Sequence, residues 1–327
     1  MSRIFDMHKP SSKPLAANVT EPNTPPTSDL LEVAAVHWDA RVTQPVPSRS
    51  QWWHFPQIKR HMNRIICGKP LDGMAGGDAH VLNELTGGRP YSKALSIGCG
   101  IASKEISLLR AGTVEQFVVY EISPKRISSG RRTAKRYGLS GRIEFRNKAV
   151  EFDAPPLETF DLVYWNNSLH HMLDVKSCLK WCRSALRPGG VIYLNDFVGP
   201  TRMQWPDEMI DVANRIRESL PQRLLIGRDG TAAVSPKVAR PSVRKLIASD
   251  PTECADSGAI LDAFKDLFPD PVIRLTGGVV YHLALKGCLH NFRHESDDEL
   301  LSILLAADEV IARLGMTHYA MAYSRLV

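Results

Sequence analysis

The chain has 327 residues, of which 43% are hydrophobic and 23% are charged, and its formal net charge is +6. This length allows one large or two small domains with a substantial core, and the composition is ordinary for a globular protein. No apolar run reaches the roughly 18 residues that a membrane-spanning helix needs, so we expect no membrane partner. The first twenty residues lack the apolar core of a secretory signal, which favours a cytoplasmic location.

Charge and cysteine usage favour a mildly basic enzyme over a nucleic-acid or zinc module. A basic chain can bind nucleic acid, but here the positive residues are scattered, and the densest run, Lys125 to Arg136, is typical of one exposed helix face. The six cysteines contain no C-x-x-C pair, so they predict neither a zinc site nor a redox motif.

The chain divides into segments of different character. Residues 1–30 are rich in Pro, Ser, Thr and Asn and are predicted to be a flexible arm. Residues 31–90 are predicted to be a helical extension, because apolar residues between 49 and 67 recur at helical spacing. Residues 91–198 alternate short apolar strands with helices, which indicates a parallel sheet covered on both faces. The pattern after residue 198 is irregular and rich in helices, with a segment near residue 272 that could be a further strand.

A glycine-bearing loop follows the first strand of this pattern. The stretch ALSIGCGIASK contains Gly98 and Gly100 but has Ser103 where a third glycine would complete G-x-G-x-x-G. The next strand ends in Glu121, about twenty residues on, where a carboxylate can accept both hydroxyls of a ribose. The pair predicts a ligand that contains adenosine. The alternative is a surface glutamate that merely ends a strand.

Four motifs in order resemble those of class I S-adenosylmethionine-dependent methyltransferases: LSIGCGIASKE, VVYEIS, FDLVYWNNSLHHM and LRPGGVIYLNDF. The resemblance covers roughly residues 90–198. It implies an α/β fold with a Rossmann-like seven-stranded sheet, helices on both faces and an antiparallel last strand. Flanking segments resemble a bacterial subgroup found with carbohydrate or secondary-metabolite genes, which implies a small-molecule acceptor.

The same resemblance implies a role for each segment of the chain. Residues 91–198 would be the cofactor-binding core, and residues 315–327 the final strand of its sheet. Residues 199–314 exceed what the minimal fold needs between its fifth and sixth strands, so they are expected to form a helical cap on the acceptor side. A capped cleft suits a small or medium acceptor better than an RNA duplex.

The implied cofactor is S-adenosyl-L-methionine, with S-adenosyl-L-homocysteine as product. The residues implied to bind it are Ser96, Gly98, Cys99, Gly100, Glu121, Ile122, Lys148, Ala149 and Asn166. The family often has an acidic residue after the third strand that meets the adenine amino group, and this chain lacks it. The backbone of Lys148 and Ala149, or the Glu151 side chain, would then read the adenine edge. Asn166 either lies near the methyl group or caps the following helix.

Methyl transfer to an alcohol or phenol usually needs a base. The candidates are His170, His171, Asp196 and His282. His170 and His171 follow the fourth strand, and adjacent residues on a helix point about 100° apart, so only one is expected to face the cleft. Asp196 could instead cap a turn, and His282 could be structural in its apolar helix.

The sequence leaves the acceptor open. Candidates for lining its pocket are Trp53, Met203, Trp205 and Tyr281, all of which could equally be core residues. No metal is expected, because Asp196 and Asn195 alone offer too few ligands at the sheet edge. The favoured function is O-methylation of a small molecule. The alternatives are N-methylation, methylation of RNA or protein, and a non-catalytic cofactor binder; no nucleic-acid partner is favoured, and a homodimer is left open.

Overall fold

The computed structural model describes residues 27–43, 49, 51–228, 230, 234–235 and 237–326. Most of the predicted flexible arm, residues 1–26, lies outside this part of the chain. Residues 27–30 correct that prediction, because they form the first turn of a helix, α1, which spans Thr27–Thr43.

A seven-stranded sheet forms the centre of the molecule. Its strands are β1 Tyr91–Ile97, β2 Val114–Tyr120, β3 Ile143–Arg146, β4 Phe160–Asn166, β5 Leu186–Phe197, β6 Val272–Gly277 and β7 Tyr319–Arg325. The spatial order is β3-β2-β1-β4-β5-β7-β6, with β1 to β5 parallel and β7 antiparallel to both of its neighbours. The predicted α/β sheet, its antiparallel last strand and the further strand near residue 272 are confirmed.

Helices cover both faces of the sheet. Besides α1 they are α2 Pro56–Cys67, α3 Gly76–Thr86, α4 Ser103–Arg110, α5 Pro124–Arg136, α6 Val175–Ala185, α7 Asp207–Glu218, α8 Val243–Ser249, α9 Ile260–Leu267 and α10 Asp298–Arg313. Because side chains alternate along a strand, Leu95 and Ile97 pack with α6 and α9, whereas Ala94 packs with α3 and α4. In the described ranges, no helix is both long enough and apolar enough to cross a membrane.

Two predicted helices are wrong in detail. The helix expected over residues 49–67 is a 3₁₀ turn, Trp52–His54, followed by α2, which begins at Pro56. Proline suits the first helical position, because its missing N–H would have no partner there. The apolar helix expected around His282 is a π-helical turn, Val279–Ala284. Turns at residues 285–288 follow it, and Gly287 among them has a φ of +79°.

A buried carboxylate joins α10 to this π-helical turn. Asp308 is fully buried and accepts hydrogen bonds from the backbone N–H groups of Gly278 and Val280, both at 2.7 Å. Burial outweighs these hydrogen bonds and raises the pKa of Asp308 from 3.8 to about 7. The folded protein therefore holds a proton that the unfolded chain releases above about pH 4.

We expect Asp308 to make the protein less stable as the pH rises from about 4 to about 7. Since the folded state binds the extra proton, the free energy of unfolding should fall by up to about 1.4 kcal/mol per pH unit from this group. Urea unfolding of the wild type and of Asp308→Asn at pH 5 and pH 7 measures this change in the free energy of unfolding. The variant is the reference, because its side-chain amide does not titrate. The free energy of unfolding of the wild type, minus that of the variant, should be smaller at pH 7 than at pH 5. A difference in the free energy of unfolding that is equal at pH 5 and pH 7 would contradict the raised pKa of Asp308.

Candidate active site

The glycine loop lies in a tight space between the turn after β4 and helix α5. Gly98 and Gly100 have φ values of +68° and +60°, a region that glycine adopts without strain. A Cβ on Gly98 would lie 3.0 Å from the Cβ of Ser168, and one on Gly100 would lie 3.3 Å from Nη1 of Arg126. Small residues are therefore required here by both backbone conformation and space.

Glu121 holds this loop from the end of β2. Its carboxylate is 4% exposed; Oε2 accepts a hydrogen bond from Gly100 N at 2.7 Å, and Oε1 accepts one from Ser123 N at 2.9 Å. Each carboxylate oxygen has a further lone pair beyond these bonds. Glu121 is thus fixed beside the glycine loop at the carboxyl edge of the sheet, and it retains acceptor capacity for a ligand hydroxyl.

Two other predicted cofactor residues, Ser96 at the end of β1 and Cys99 within the glycine loop, are buried. Ser96 is 1% exposed and donates its hydroxyl to Glu105 Oε1 at 2.8 Å. The Cys99 side chain is buried, and burial raises the pKa of its thiol well above the usual value. Ser96 therefore links the end of β1 to α4, and Cys99 is a buried residue of the glycine loop itself.

The residues predicted at the adenine lie around the end of β2. Lys148, Ala149 and Glu151 line one cavity of about 100 Å³. Asn147 occupies the place where the family often has a carboxylate, and its Nδ2 donates to the backbone oxygens of Glu121 and Ile122 at 2.9 and 3.1 Å. Asn147 thus fixes the backbone of Glu121 and Ile122, a role that the sequence did not reveal.

The Asn166 side chain belongs to a buried network around Asp78 of α3. Asp78 is fully buried and accepts hydrogen bonds from Tyr164 Oη at 2.6 Å, Asn166 Nδ2 at 2.7 Å, Tyr193 Oη at 2.7 Å and Asn195 Nδ2 at 2.9 Å. Burial raises the pKa of Asp78 in spite of these four donors. The network ties α3 to the ends of β4 and β5. The only signal in the sequence was one acid in a short helix.

Two of the predicted catalytic residues form a pair. Asp196, at the end of β5, is fully buried, and its Oδ1 lies 2.5 Å from Nδ1 of His170. The backbone N–H groups of Ser168 and Leu169 donate to Oδ2, both at 2.8 Å, and that of Phe197 donates to Oδ1 at 2.8 Å. Burial lowers the pKa of His170, but the carboxylate of Asp196 outweighs it, so the net shift is upward. Asp196 therefore orients the imidazole.

His171 has different neighbours. Its Nδ1 lies 3.0 Å from Oγ1 of Thr252, and its ring meets the Trp38 ring edge-on at 5.3 Å. Burial, together with His170, lowers the pKa of His171 to about 4. The ring is therefore neutral at neutral pH.

His282 lies in an aromatic cluster behind this pair. Its ring centroid is 5.8 Å from that of Phe197, and its Nδ1 is 3.2 Å from Nδ1 of His318. Burial lowers the pKa of His282 well below its usual value. Trp205 stacks on His318 at 4.4 Å, and Tyr281 is fully buried.

The remaining predicted pocket residues differ in exposure. Met203 is half-buried against the cluster, whereas Trp53 is 43% exposed. It is the neighbouring Trp52 that is buried, and its Nε1 donates to Tyr319 Oη at 3.2 Å. The sequence predicted Trp53 for the acceptor pocket and did not indicate that Trp52 is the buried one of the two.

Helix α1 packs against the site, a contact that no sequence motif predicted. The Arg126 guanidinium lies 3.9 Å from the ring centroid of Trp38, a cation–π contact. Asp39 accepts hydrogen bonds from the Ser123 hydroxyl and from Lys125 N at the start of α5. One end of α1 is thereby attached beside Glu121, and Trp38 bridges Arg126 of α5 and His171.

Residues 95–192 match the family model described as a methyltransferase domain. The chain contains a class I methyltransferase domain. The match begins in β1 and ends in β5, so it spans the glycine loop, Glu121 and both histidines after β4. The resemblance of the four motifs is confirmed over this core.

Relatives of this methyltransferase domain include two O-methyltransferases. A ubiquinone biosynthesis O-methyltransferase of Methylocella silvestris is 32% identical over 101 residues, which are 31% of this chain and 38% of that protein. The 27-O-demethylrifamycin SV methyltransferase of Amycolatopsis mediterranei is 30% identical over 148 residues, 45% of this chain and 50% of that protein. The chain thus spans half or less of the length of these relatives.

Solved structures resemble the whole fold. A geranyl diphosphate methyltransferase in complex with GPP and sinefungin has a TM-score of 0.52 and 14% identity, over 91% of this chain and 100% of that chain. The geranyl diphosphate C-methyltransferase of Streptomyces coelicolor A3(2) has the same TM-score and 12% identity, over 93% of this chain and 100% of that chain. These likenesses extend the methyltransferase fold beyond the matched core to the flanking helices.

Proposed function

We propose that the protein transfers a methyl group from S-adenosyl-L-methionine to an oxygen of a small-molecule acceptor. The observation that carries the proposal is the His170–Asp196 pair, which lies at the same sheet edge as the glycine loop and Glu121. The names of the relatives that act in ubiquinone and rifamycin biosynthesis support an oxygen acceptor.

The residues at the loop suit the cofactor. Glu121 keeps acceptor capacity for the ribose hydroxyls, Gly98 and Gly100 let the backbone approach the methionine portion, and Lys148 and Ala149 would meet the adenine. When bound, the cofactor supplies a methyl group already activated on a sulfonium. The chain then has to hold the acceptor oxygen about 3 Å from the methyl carbon, in line with the breaking bond.

His170 is the base in this proposal. Because its Nδ1 is bonded to Asp196, its Nε2 is the nitrogen that takes the proton from the acceptor hydroxyl. Asp196 is a positioning residue, since backbone N–H groups and His170 surround its carboxylate, and it stabilises the imidazolium that forms. Burial keeps the pKa values of His171 and His282 low, so neither ring is the base in this proposal.

The proposal also covers the type of pathway, the location in the cell and the partners. We place the enzyme in secondary-metabolite or carbohydrate biosynthesis in the cytoplasm, with no nucleic-acid partner. A homodimer stays a prediction.

A labelling experiment tests the proposal. The protein is incubated with methyl-labelled S-adenosylmethionine and an extract of the organism that makes it, and the products are separated by size and by nuclease and protease sensitivity. Label in small molecules, with mass fragmentation that places the methyl on oxygen, is the expected result. Label in nuclease- or protease-sensitive material, or methylation on nitrogen, would overturn the proposed acceptor class.

A further inference from the structure

Three potential metal ligands lie together beside the turn after β4. One ring nitrogen each from His170 and His171 and one carboxylate oxygen of Glu253 all lie within 4.8 Å of one another. The histidines belong to the turn after β4, and Glu253 belongs to the loop between α8 and α9. We propose that His170, His171 and Glu253 bind a divalent transition-metal ion such as Zn²⁺ or Co²⁺.

The hydrogen bonds of the two histidines leave the right atoms for a metal. Nδ1 of His170 is held by Asp196, and Nδ1 of His171 lies at hydrogen-bond distance from Thr252 Oγ1. Nε2 of each ring has no hydrogen-bond partner in the described part of the chain and is the nitrogen left to coordinate. A ligating histidine typically has its other ring nitrogen bonded to a carboxylate or another polar group, and His170 with Asp196 has this arrangement.

The carboxylate can complete the set. Oε1 of Glu253 accepts a weak hydrogen bond from Cys254 Sγ at 3.2 Å, and Oε2 is not needed by this bond. Nitrogen and oxygen ligands bind zinc at about 2.0–2.2 Å, so two atoms on one ion are at most about 4.4 Å apart. Because the three ligand atoms already lie within 4.8 Å of one another, they exceed this limit by no more than about 0.4 Å. A rotation of the half-buried Glu253 side chain can bring its carboxylate closer to the two rings.

The donor set selects the kind of ion. Two imidazoles and one carboxylate suit Zn²⁺, Co²⁺, Ni²⁺ or Fe²⁺, whereas Mg²⁺ and Ca²⁺ prefer oxygen ligands alone. The sequence predicted no metal because Asp196 and Asn195 alone offer too few ligands at this edge. Asp196 does not ligate in the proposed site but orients a ligand, and Glu253 comes from a part of the chain far from the histidines.

The inference goes beyond the proposed function and has a consequence for it. Nε2 of His170 cannot hold a proton and a metal ion at once. An enzyme that uses this nitrogen as its base should therefore be inhibited by bound metal and recover when a chelator removes it.

Metal binding is measured without cofactor or acceptor. A negative result would therefore overturn the metal site and leave the proposed methyl transfer untouched. Untagged protein of all 327 residues, treated with EDTA and dialysed, is titrated with CoCl₂ by visible absorption and with ZnCl₂ by calorimetry. We expect one site, and at least tenfold weaker binding in Glu253→Gln and in His171→Ala. Glu218→Gln, which removes an exposed carboxylate on α7, is the matched control.

Circular dichroism shows whether each variant is folded. If one of the two site variants does not fold, the other alone carries the test. An absence of binding at millimolar metal, or affinity that is unchanged in a folded site variant, would overturn the proposal.

Discussion

Replacing His170 with alanine should lower the turnover of methyl transfer by about 10²- to 10⁴-fold, the usual contribution of a general base. The reason is geometric: His170 is the imidazole whose Nδ1 is fixed by a buried carboxylate. Steady-state kinetics with the acceptor found by labelling gives the measurement. Binding of S-adenosylhomocysteine by the variant should change little, because the residues proposed to bind the cofactor are intact.

His171→Ala is the matched control, since it removes a neighbouring imidazole whose Nδ1 is at hydrogen-bond distance from the Thr252 hydroxyl and 3.8 Å from the Asp250 carboxylate. We expect a clearly smaller loss of turnover than in His170→Ala. Asp196→Asn should resemble His170→Ala in turnover, because an amide supports the imidazolium less well than a carboxylate does. Negligible losses in both histidine variants would remove both as bases.

The cofactor side of the site was largely predictable because its parts are local. In a parallel sheet, the carboxyl ends of successive strands meet at one edge, so motifs that end β1, β2, β4 and β5 come together. The hydrogen bond between Glu121 and Gly100 is a direct result of pairing β1 with β2 in register. The sequence could therefore indicate this arrangement without any knowledge of the flanking helices.

The acceptor side was not predictable in the same way. Asp78, Trp38 and Glu253 reach the sheet edge from α3, α1 and the loop before α9, and their positions depend on how those elements pack. No local spacing relates Glu253 to His171 or Trp38 to Arg126, although the contacts are close. The sequence shows that these residues are charged or aromatic. It does not show where the segments that contain them pack in the fold.

Strand alternation explains where individual side chains lie on the predicted strands. Ser96 and Ala94 share one face of β1, and Ser96 therefore meets Glu105 of α4. Tyr164 and Asn166 share one face of β4 in the same way, and both meet Asp78. The motif placed these residues near the cofactor by position, but the face of the strand determines what the side chain contacts.

Replacing Glu121 with alanine should weaken cofactor binding by at least about 100-fold. Hydrogen bonds to a charged group contribute about 1.5–3 kcal/mol each, and the carboxylate is placed to accept those of both ribose hydroxyls. The variant also leaves the N–H groups of Gly100 and Ser123 without their partner, which loosens the loop itself. Calorimetric titration with S-adenosylhomocysteine measures the affinity directly.

Two further variants separate loss of the ligand contact from loss of loop structure. Glu121→Gln keeps the size of the side chain but turns one acceptor into a donor, so it should still lose affinity while the protein melts close to the wild-type temperature. Glu151→Ala tests the other acid near the predicted adenine position, and we expect a smaller effect, because the backbone of Lys148 and Ala149 can read the adenine edge without it. If Glu121→Ala binds S-adenosylhomocysteine as tightly as the wild type does, then the ribose does not rest on this carboxylate. The glycine loop would then have to hold the cofactor without the acid that fixes it, an arrangement in which the close contact between Glu121 and Gly100 serves folding alone.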